Sequence, residues 1–307
     1  MPLPAEVLCV GECMIELSRG LDRRFDMCFG GDTFNTAAYL ARAGIPTAYI
    51  TTLGDDPYSD GIVALATTEG IQTHLIDRLP GRVPGLYMIE TDSSGERRFF
   101  YWRENSPARE RFDQPRAELD EAARGARLIY FSGITLWLYG KTGRARFFDW
   151  LDLARLSGAK VAFDGNFRPR LWGDDLAQAR SAYRAALKRA DIVLPTLEDE
   201  QNLWGVDDPH AALAHLAAQG VREIVLKNGA DGAWISSQGI VNHIPAPEVV
   251  EPKDTTAAGD SFNAGYLSAR LRGASPSEAV LRGHRLAAAV IRHPGAIVPR
   301  SATDAVL

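Results

Sequence analysis

Residues 254–265 read DTTAAGDSFNAG. Over 248–273, EVVEPKDTTAAGDSFNAGYLSARLRG, a polar turn runs into a long helical pattern that begins near Ala258. The first amides of a helix lack intrahelical acceptors and carry partial positive charge, so they can hold a phosphate. The small residues Ala257, Ala258 and Gly259 let an anion come close to that backbone. Asp260 follows at once, a carboxylate at the mouth of an anion site. The helix dipole alone would explain an acid in a first turn. Phosphoryl transfer to an alcohol gives a second explanation. The amides stabilise the phosphoryl oxygens, and the carboxylate accepts the proton that the attacking hydroxyl sheds.

Outward from this loop, short apolar runs alternate with helical patterns. VLCV at 7–10, AYITTL at 48–53, LIYFSG at 128–133, VAFDGN at 161–166, DIVLPT at 191–196 and EIVLKNG at 223–229 read as strands. TGRARFFDWLDLARLSG and DLAQARSAYRAALKRA read as amphipathic helices between them, and SPSEAVLRGHRLAAAVIRHPG as a last helix. Continuous apolar strands interleaved with helices predict an α/β fold whose mostly parallel sheet is covered on both faces. From about 72 to 102 the rhythm breaks into THLIDRL, GLYMIETD, the turn SSGE and RRFFYW, with no helix. This β insertion predicts a small lid, with an antiparallel edge of the main sheet as the alternative. The expected organisation is a single domain over 1–307 carrying that lid.

The 307 residues are 46% hydrophobic and 24% charged, which suits a sizeable core. A formal charge of −5 argues against nucleic acid or an anionic membrane as the main partner, though not against an anionic small substrate. Cys9, Cys13 and Cys28 match no zinc spacing and read as buried, reduced thiols. The first residues, MPLPAEVLCV, carry no basic leader region, and the expected location is the cytoplasm.

With the loop and strands in place, the chain resembles the ribokinase-like (PfkB) carbohydrate kinases over almost its whole length. GGDTFNTAAYLARAG at 30–44 and DTTAAGDSFNAG are similar to the two signatures of that family. YWRENSPARE at 101–110 and DGNFRPRLW at 164–172 look like the branch that phosphorylates 2-keto-3-deoxygluconate. The resemblance implies a ribokinase-like three-layer fold, ATP as phosphoryl donor, Mg²⁺ as its companion, and lids that often pair between subunits. The loop departs from the family at Ala257, where Gly is usual. PTLEDEQ at 195–201 has Thr196 and Asp199 in place of the usual magnesium-organising Asn and Glu, flanked by Glu198 and Glu200, so no metal ligand is assigned.

Site residues follow from the resemblance. Gly31 lets a sugar lie against backbone, and Asp32 and Asn35, three apart at a helix start, bond its hydroxyls. Gly30 and Gly31 also read simply as a turn before a helix capped by Asp32 or Thr33. Arg103 supplies a planar, permanently charged partner for a sugar-acid carboxylate, and Arg168 looks like a second such group. Tyr87 and Tyr101 resemble lid tyrosines over the sugar, and as strand aromatics they also pack the lid. Asn166 and the stretch LKNGADGAW, with Lys227, Asn228, Gly229 and Gly232, match the nucleotide side, or form an ordinary turn after a strand. His284 and His293, expected in the last helix, either approach a ligand or only pack.

Two alternatives lack their motifs. TLWLYGKT at 135–142 has Thr135 where a P-loop needs its first Gly, and no GxGxxG follows the first strand. The remaining rivals are a kinase of a neutral sugar such as fructose, and a sugar-binding regulator that kept the fold without the chemistry.

Overall fold

In the first strand, Val7 and Cys9 face one hydrophobic layer while Leu8 and Val10 face another, and all four are buried. That two-residue period, with apolar side chains on both sides, is the signature of a strand covered on both faces. The structure is a computed structural model and describes residues 5–20, 24–91, 97–173 and 175–307.

The first strands are β1 (Val7–Val10), β2 (Met14–Arg19), β3 (Phe25–Gly30) and β4 (Thr47–Leu53). There follow β5 (Ile76–Arg78), β6 (Leu86–Thr91), β7 (Arg97–Trp102), β8 (Leu128–Ser132) and β9 (Lys160–Asp164). The last are β10 (Ile192–Val193), β11 (Glu223–Lys227), β12 (Ala233–Ser237) and β13 (Ile240–Ile244). Nine of them form one sheet in the order β13-β12-β11-β10-β9-β8-β1-β4-β5. It is parallel from β5 to β11 and antiparallel at β12 and β13. The expected mostly parallel α/β sheet is therefore observed. The strand expected over 191–196 shortens to β10, since Pro195 has no N–H for the ladder.

Helices Gly140–Leu156, Leu176–Leu187 and Pro209–Ala218 cover one face. Helices Asp32–Arg42, Pro57–Glu69, Ala258–Leu271 and Pro276–Val290 cover the other. Pro276–Val290 starts on a capping box between Ser275 and Glu278 and stops before His293, which lies beyond it rather than inside it. Among the described residues no helix is long and apolar enough to cross a membrane.

The lid is a separate four-stranded sheet in the order β3-β2-β6-β7. Its composition differs from the expected range of about 72–102. Only β6 and β7 come from that stretch. The earlier residues, in β5, pair parallel with β4 at the main sheet's edge. The other half of the lid is the hairpin of β2 and β3, and β2 pairs parallel with β6. Such a parallel partner lies far away in sequence, so no local turn signal announces it. Met14, Tyr87 and Ile89 fill its inner face. Cys9 and Cys13 are buried as expected, but Cys28 is exposed, because β3 is an edge strand of this thin sheet.

One core layer is organised around Phe147, whose ring lies 5.0 Å from Phe131, 5.1 Å from Phe112, 5.5 Å from Tyr139 and 6.0 Å from Trp150. Phe147→Ala should cost about 3–5 kcal/mol by urea denaturation, because the surrounding rings cannot collapse into the void. Leu156→Ala, at a residue 89% exposed, should stay within about 0.5 kcal/mol. Equal losses at the two positions would contradict this packing.

Candidate active site

In an open parallel sheet, ligands bind beyond the carboxyl ends of the strands, where strand order reverses. Here β1 lies between β4 and β8, and residues at the carboxyl end of β11 and at or just past those of β9 and β10 line a cleft under the lid. Its volume is about 1340 Å³. Single small-molecule sites usually hold about 300–1,000 Å³, so this one has room for two ligands.

The floor joins two helix starts from opposite ends of the chain. Gly31 occupies the cap position of helix Asp32–Arg42, where Asp32 or Thr33 was expected. A Cβ on residue 31 would lie 2.1 Å from the Glu12 carbonyl oxygen, so the close approach requires glycine. Asn35 accepts weakly from the Gly31 N–H at 3.4 Å and donates through Nδ2 to Asp260 Oδ2 at 2.8 Å. Asp260 stands in the first turn of helix Ala258–Leu271, as the sequence predicts. The preceding Ala257 is left-handed (φ 60°), a conformation that costs a non-glycine residue about 1–2 kcal/mol. Among the expected anion-binding amides, that of Ala258 is already donated to Thr255 O at 3.2 Å. Gly259 and Asp260 fall in the first turn, where helix geometry supplies no acceptor.

Beneath the loop lies a polar network that the sequence did not announce. Lys227 Nζ donates to Asp164 Oδ1 at 3.2 Å and to Asn263 Oδ1 at 3.1 Å. Asn263 Nδ2 donates to Asp164 Oδ2 at 2.9 Å. Thr36 Oγ1 lies within hydrogen-bonding distance of both Tyr130 Oη and the Asp260 carbonyl, tying the helices together. Burial pushes the Asp164 carboxyl up, against the pull of Lys227. Asp260 is pushed up to about 8, first by burial and then by the charge of Asp32, with the Asn35 bond opposing.

Other expected residues are redistributed. Asp32, Asn35, Tyr87, Tyr101, Arg103, Asn166 and Arg168 all line the cleft. Asn166, expected on the nucleotide side, donates to Asp32 Oδ2 at 2.6 Å and so belongs with the Asp32 floor. Lys227 is buried in the network and lines the cleft, but Asn228, Gly229 and Gly232 do not line it. β11 ends at Lys227, and the turn closed by Asn228 N–H to Gly232 O at 2.8 Å carries the chain away into β12.

Tyr87 donates its hydroxyl to the buried Glu16, and Arg103, expected as a partner for the substrate carboxylate, is 4% exposed and ion-paired with Glu12. Neither glutamate was anticipated. The alternating Ile15-Glu16-Leu17-Ser18 was the available strand signal. His284 packs on Phe262 outside the cleft lining.

In PTLEDEQ, Asp199 spends both oxygens on backbone amides, of Phe167 at 2.8 Å and Thr196 at 3.1 Å. Glu200 turns to His215 at 3.5 Å and is not part of the lining. Of the acids expected to remain available there, only Glu198 is exposed on the cleft wall. Among the described residues no group of three or more His, Cys, Asp or Glu could form a protein cage for a metal ion.

The raised Asp260 carboxyl has a consequence for stability. The folded protein binds this proton more tightly than the unfolded chain does. Its contribution is therefore complete below the ordinary carboxylate value of 3.8 and is lost as the pH rises through 8. Relative to the wild type, Asp260→Asn should melt higher at about pH 9 than at about pH 6. A pH-independent difference would show that Asp260 ionises like a surface acid.

Comparison with known proteins gives the family. A family model described as pfkB family carbohydrate kinase matches residues 4–303. The 2-dehydro-3-deoxygluconokinase of Dickeya dadantii (strain 3937) is 44% identical over 308 aligned residues, covering 97% of this chain and 98% of that protein. The protein of the same name from Escherichia coli (strain K12) is 42% identical, covering 98% and 99%. The crystal structure of a PfkB protein from Polaromonas sp. JS666 superposes with a TM-score of 0.84 at 27% identity, covering 98% and 99%. This chain belongs to the pfkB family of carbohydrate kinases.

Proposed function

We propose that the protein is a 2-dehydro-3-deoxygluconokinase, transferring the terminal phosphoryl group of ATP to the primary hydroxyl of 2-keto-3-deoxygluconate. The observation that carries the reading is Asp260, set in the first turn of helix Ala258–Leu271 and lining a cleft large enough for two ligands. Identity of 42–44% to kinases of that name, over nearly the full length, supports the same substrate.

The attacking hydroxyl lies against Asp260, which takes its proton as the bond to phosphorus forms. A carboxyl raised to about 8 has a high proton affinity, so its ionised form is a strong acceptor for the hydroxyl proton. The Gly259 and Asp260 amides, with Lys227 close under Gly259, stabilise charge on the transferring group. Asp32 and Asn35 receive the sugar hydroxyls, and Tyr101 and the lid shut out water. Arg103 and Arg168 face the substrate carboxylate. Mg²⁺ usually keeps several waters and uses one or two carboxylates plus substrate phosphates, a demand that a single cleft-wall acid and the bound nucleotide could meet. Glu198, exposed on the cleft wall, would hold the ion, which would supply neutralisation of phosphate charge.

A charge-assisted hydrogen bond contributes about 1.5–3 kcal/mol, so kcat/KM for 2-keto-3-deoxygluconate should exceed that for fructose or ribose by at least about 10- to 100-fold. Arg168 is exposed and forms no ion pair among the described residues. Arg168→Leu should therefore raise KM for the sugar acid with little loss of stability. Coupled ATP-consumption assays across a panel of sugars and sugar acids make the measurement. Preference for a neutral sugar would overturn the substrate assignment.

A further inference from the structure

Arg103 follows the last lid strand, β7, and Glu12 follows β1 at the centre of the main sheet. Their side chains are 4% and 2% exposed and form a buried ion pair between Arg103 Nη2 and Glu12 Oε2. The guanidinium carbon lies 5.3 Å from the Trp137 ring and 6.0 Å from the Tyr101 ring. Glu12 Oε1 and Arg103 Nε have no hydrogen-bond partner among the described residues. The space is built for the glutamate, because a Cβ on Gly85 would come within 2.7 Å of Glu12 Oε1. Arg103 lines the cleft and Glu12 does not.

We infer that Glu12 is a positioning residue for substrate-carboxylate recognition: it grips one edge of Arg103 and leaves the guanidinium's remaining donors for the sugar acid. Guanidinium recognises a carboxylate through a fixed planar fork, so its rotation matters as much as its charge. Arg103 comes from the lid, and without an anchor on the sheet its direction would follow the lid's motion. Glu12 supplies that anchor and balances the buried cation while the cleft is empty. The inference rests on the proposed reading of Arg103 as a carboxylate reader.

Two substitutions separate reach from charge. E12D keeps the charge but shortens the side chain by one methylene. E12Q keeps the reach and an acceptor oxygen but loses the charge. Positioning predicts that E12D raises KM for 2-keto-3-deoxygluconate by about tenfold or more, with a several-fold smaller change in kcat and none in KM for ATP. E12Q should raise that KM less than E12D does. The inference is overturned if both variants leave the KM within about twofold, if E12Q is the more damaging, or if KM for sugar acid and for ATP rise together. Should E12D fail to fold, E12A, which removes reach and charge together, takes its place: a larger rise in KM for the sugar acid than with E12Q supports positioning, and an equal rise overturns it. A wild-type enzyme indifferent to the substrate carboxylate would overturn the reading of the site and this inference with it. A wild-type preference combined with an insensitive E12D would overturn the inference alone.

Discussion

Three carboxylates converge at the floor of the cleft, and each is held by an asparagine amide. Asn35 donates to Asp260, Asn166 to Asp32 and Asn263 to Asp164, at 2.8, 2.6 and 2.9 Å. A neutral donor orients an acid without cancelling its charge, so the mutual repulsion persists. Lys227 is the cation within this group, and it is committed to Asp164. Negative charge therefore weighs most on Asp260, whose proton is held up to about 8 by burial and by Asp32. The opposing helix dipole does not win. A residue placed for stability alone would not sit where its ionisation works against folding, and such conflicts mark functional sites.

The fold exists around this crowding. Asn35 and Asp260 are 225 residues apart, yet the helices that carry them pack side by side on one face of the sheet. Asp164 and Lys227 sit at the carboxyl ends of β9 and β11, separated by β10. Parallel strands place successive carboxyl ends on one edge, so a sheet of this order collects polar groups from the whole length of the chain. The lid closes the other side with Tyr87 and Tyr101, and the Glu12–Arg103 pair fastens its last strand to β1.

What was legible in the sequence was local. The helix start at Ala258 with its acid, the glycine and acid at 31 and 32, and the apolar strands each lie within one short window. What was hidden depended on pairs remote in sequence. Arg103 read as a carboxylate reader, but Glu12, 91 residues earlier, gave no sign of being its partner. Tyr87 and Glu16 are 71 residues apart. The lid was half seen, because β6 and β7 are antiparallel neighbours in chain order while β2 pairs with β6 across the chain; the SSGE turn expected between β6 and β7 lies outside the described residues. The acids near Thr196 read as available because a capping box and a Glu200–His215 contact across helices show themselves only after folding. Local chemistry was legible, and the long-range satisfaction of charge was not.

The central claim is that the Asp260 carboxylate takes the hydroxyl proton. Asp260→Asn keeps the shape and the contact with Asn35 but removes the base. Turnover at saturating substrates, measured beside nucleotide affinity, tests this most directly. General-base catalysis contributes about 10²–10⁴-fold, so kcat should fall by that order while nucleotide affinity holds. Near-normal turnover in the variant would contradict the account.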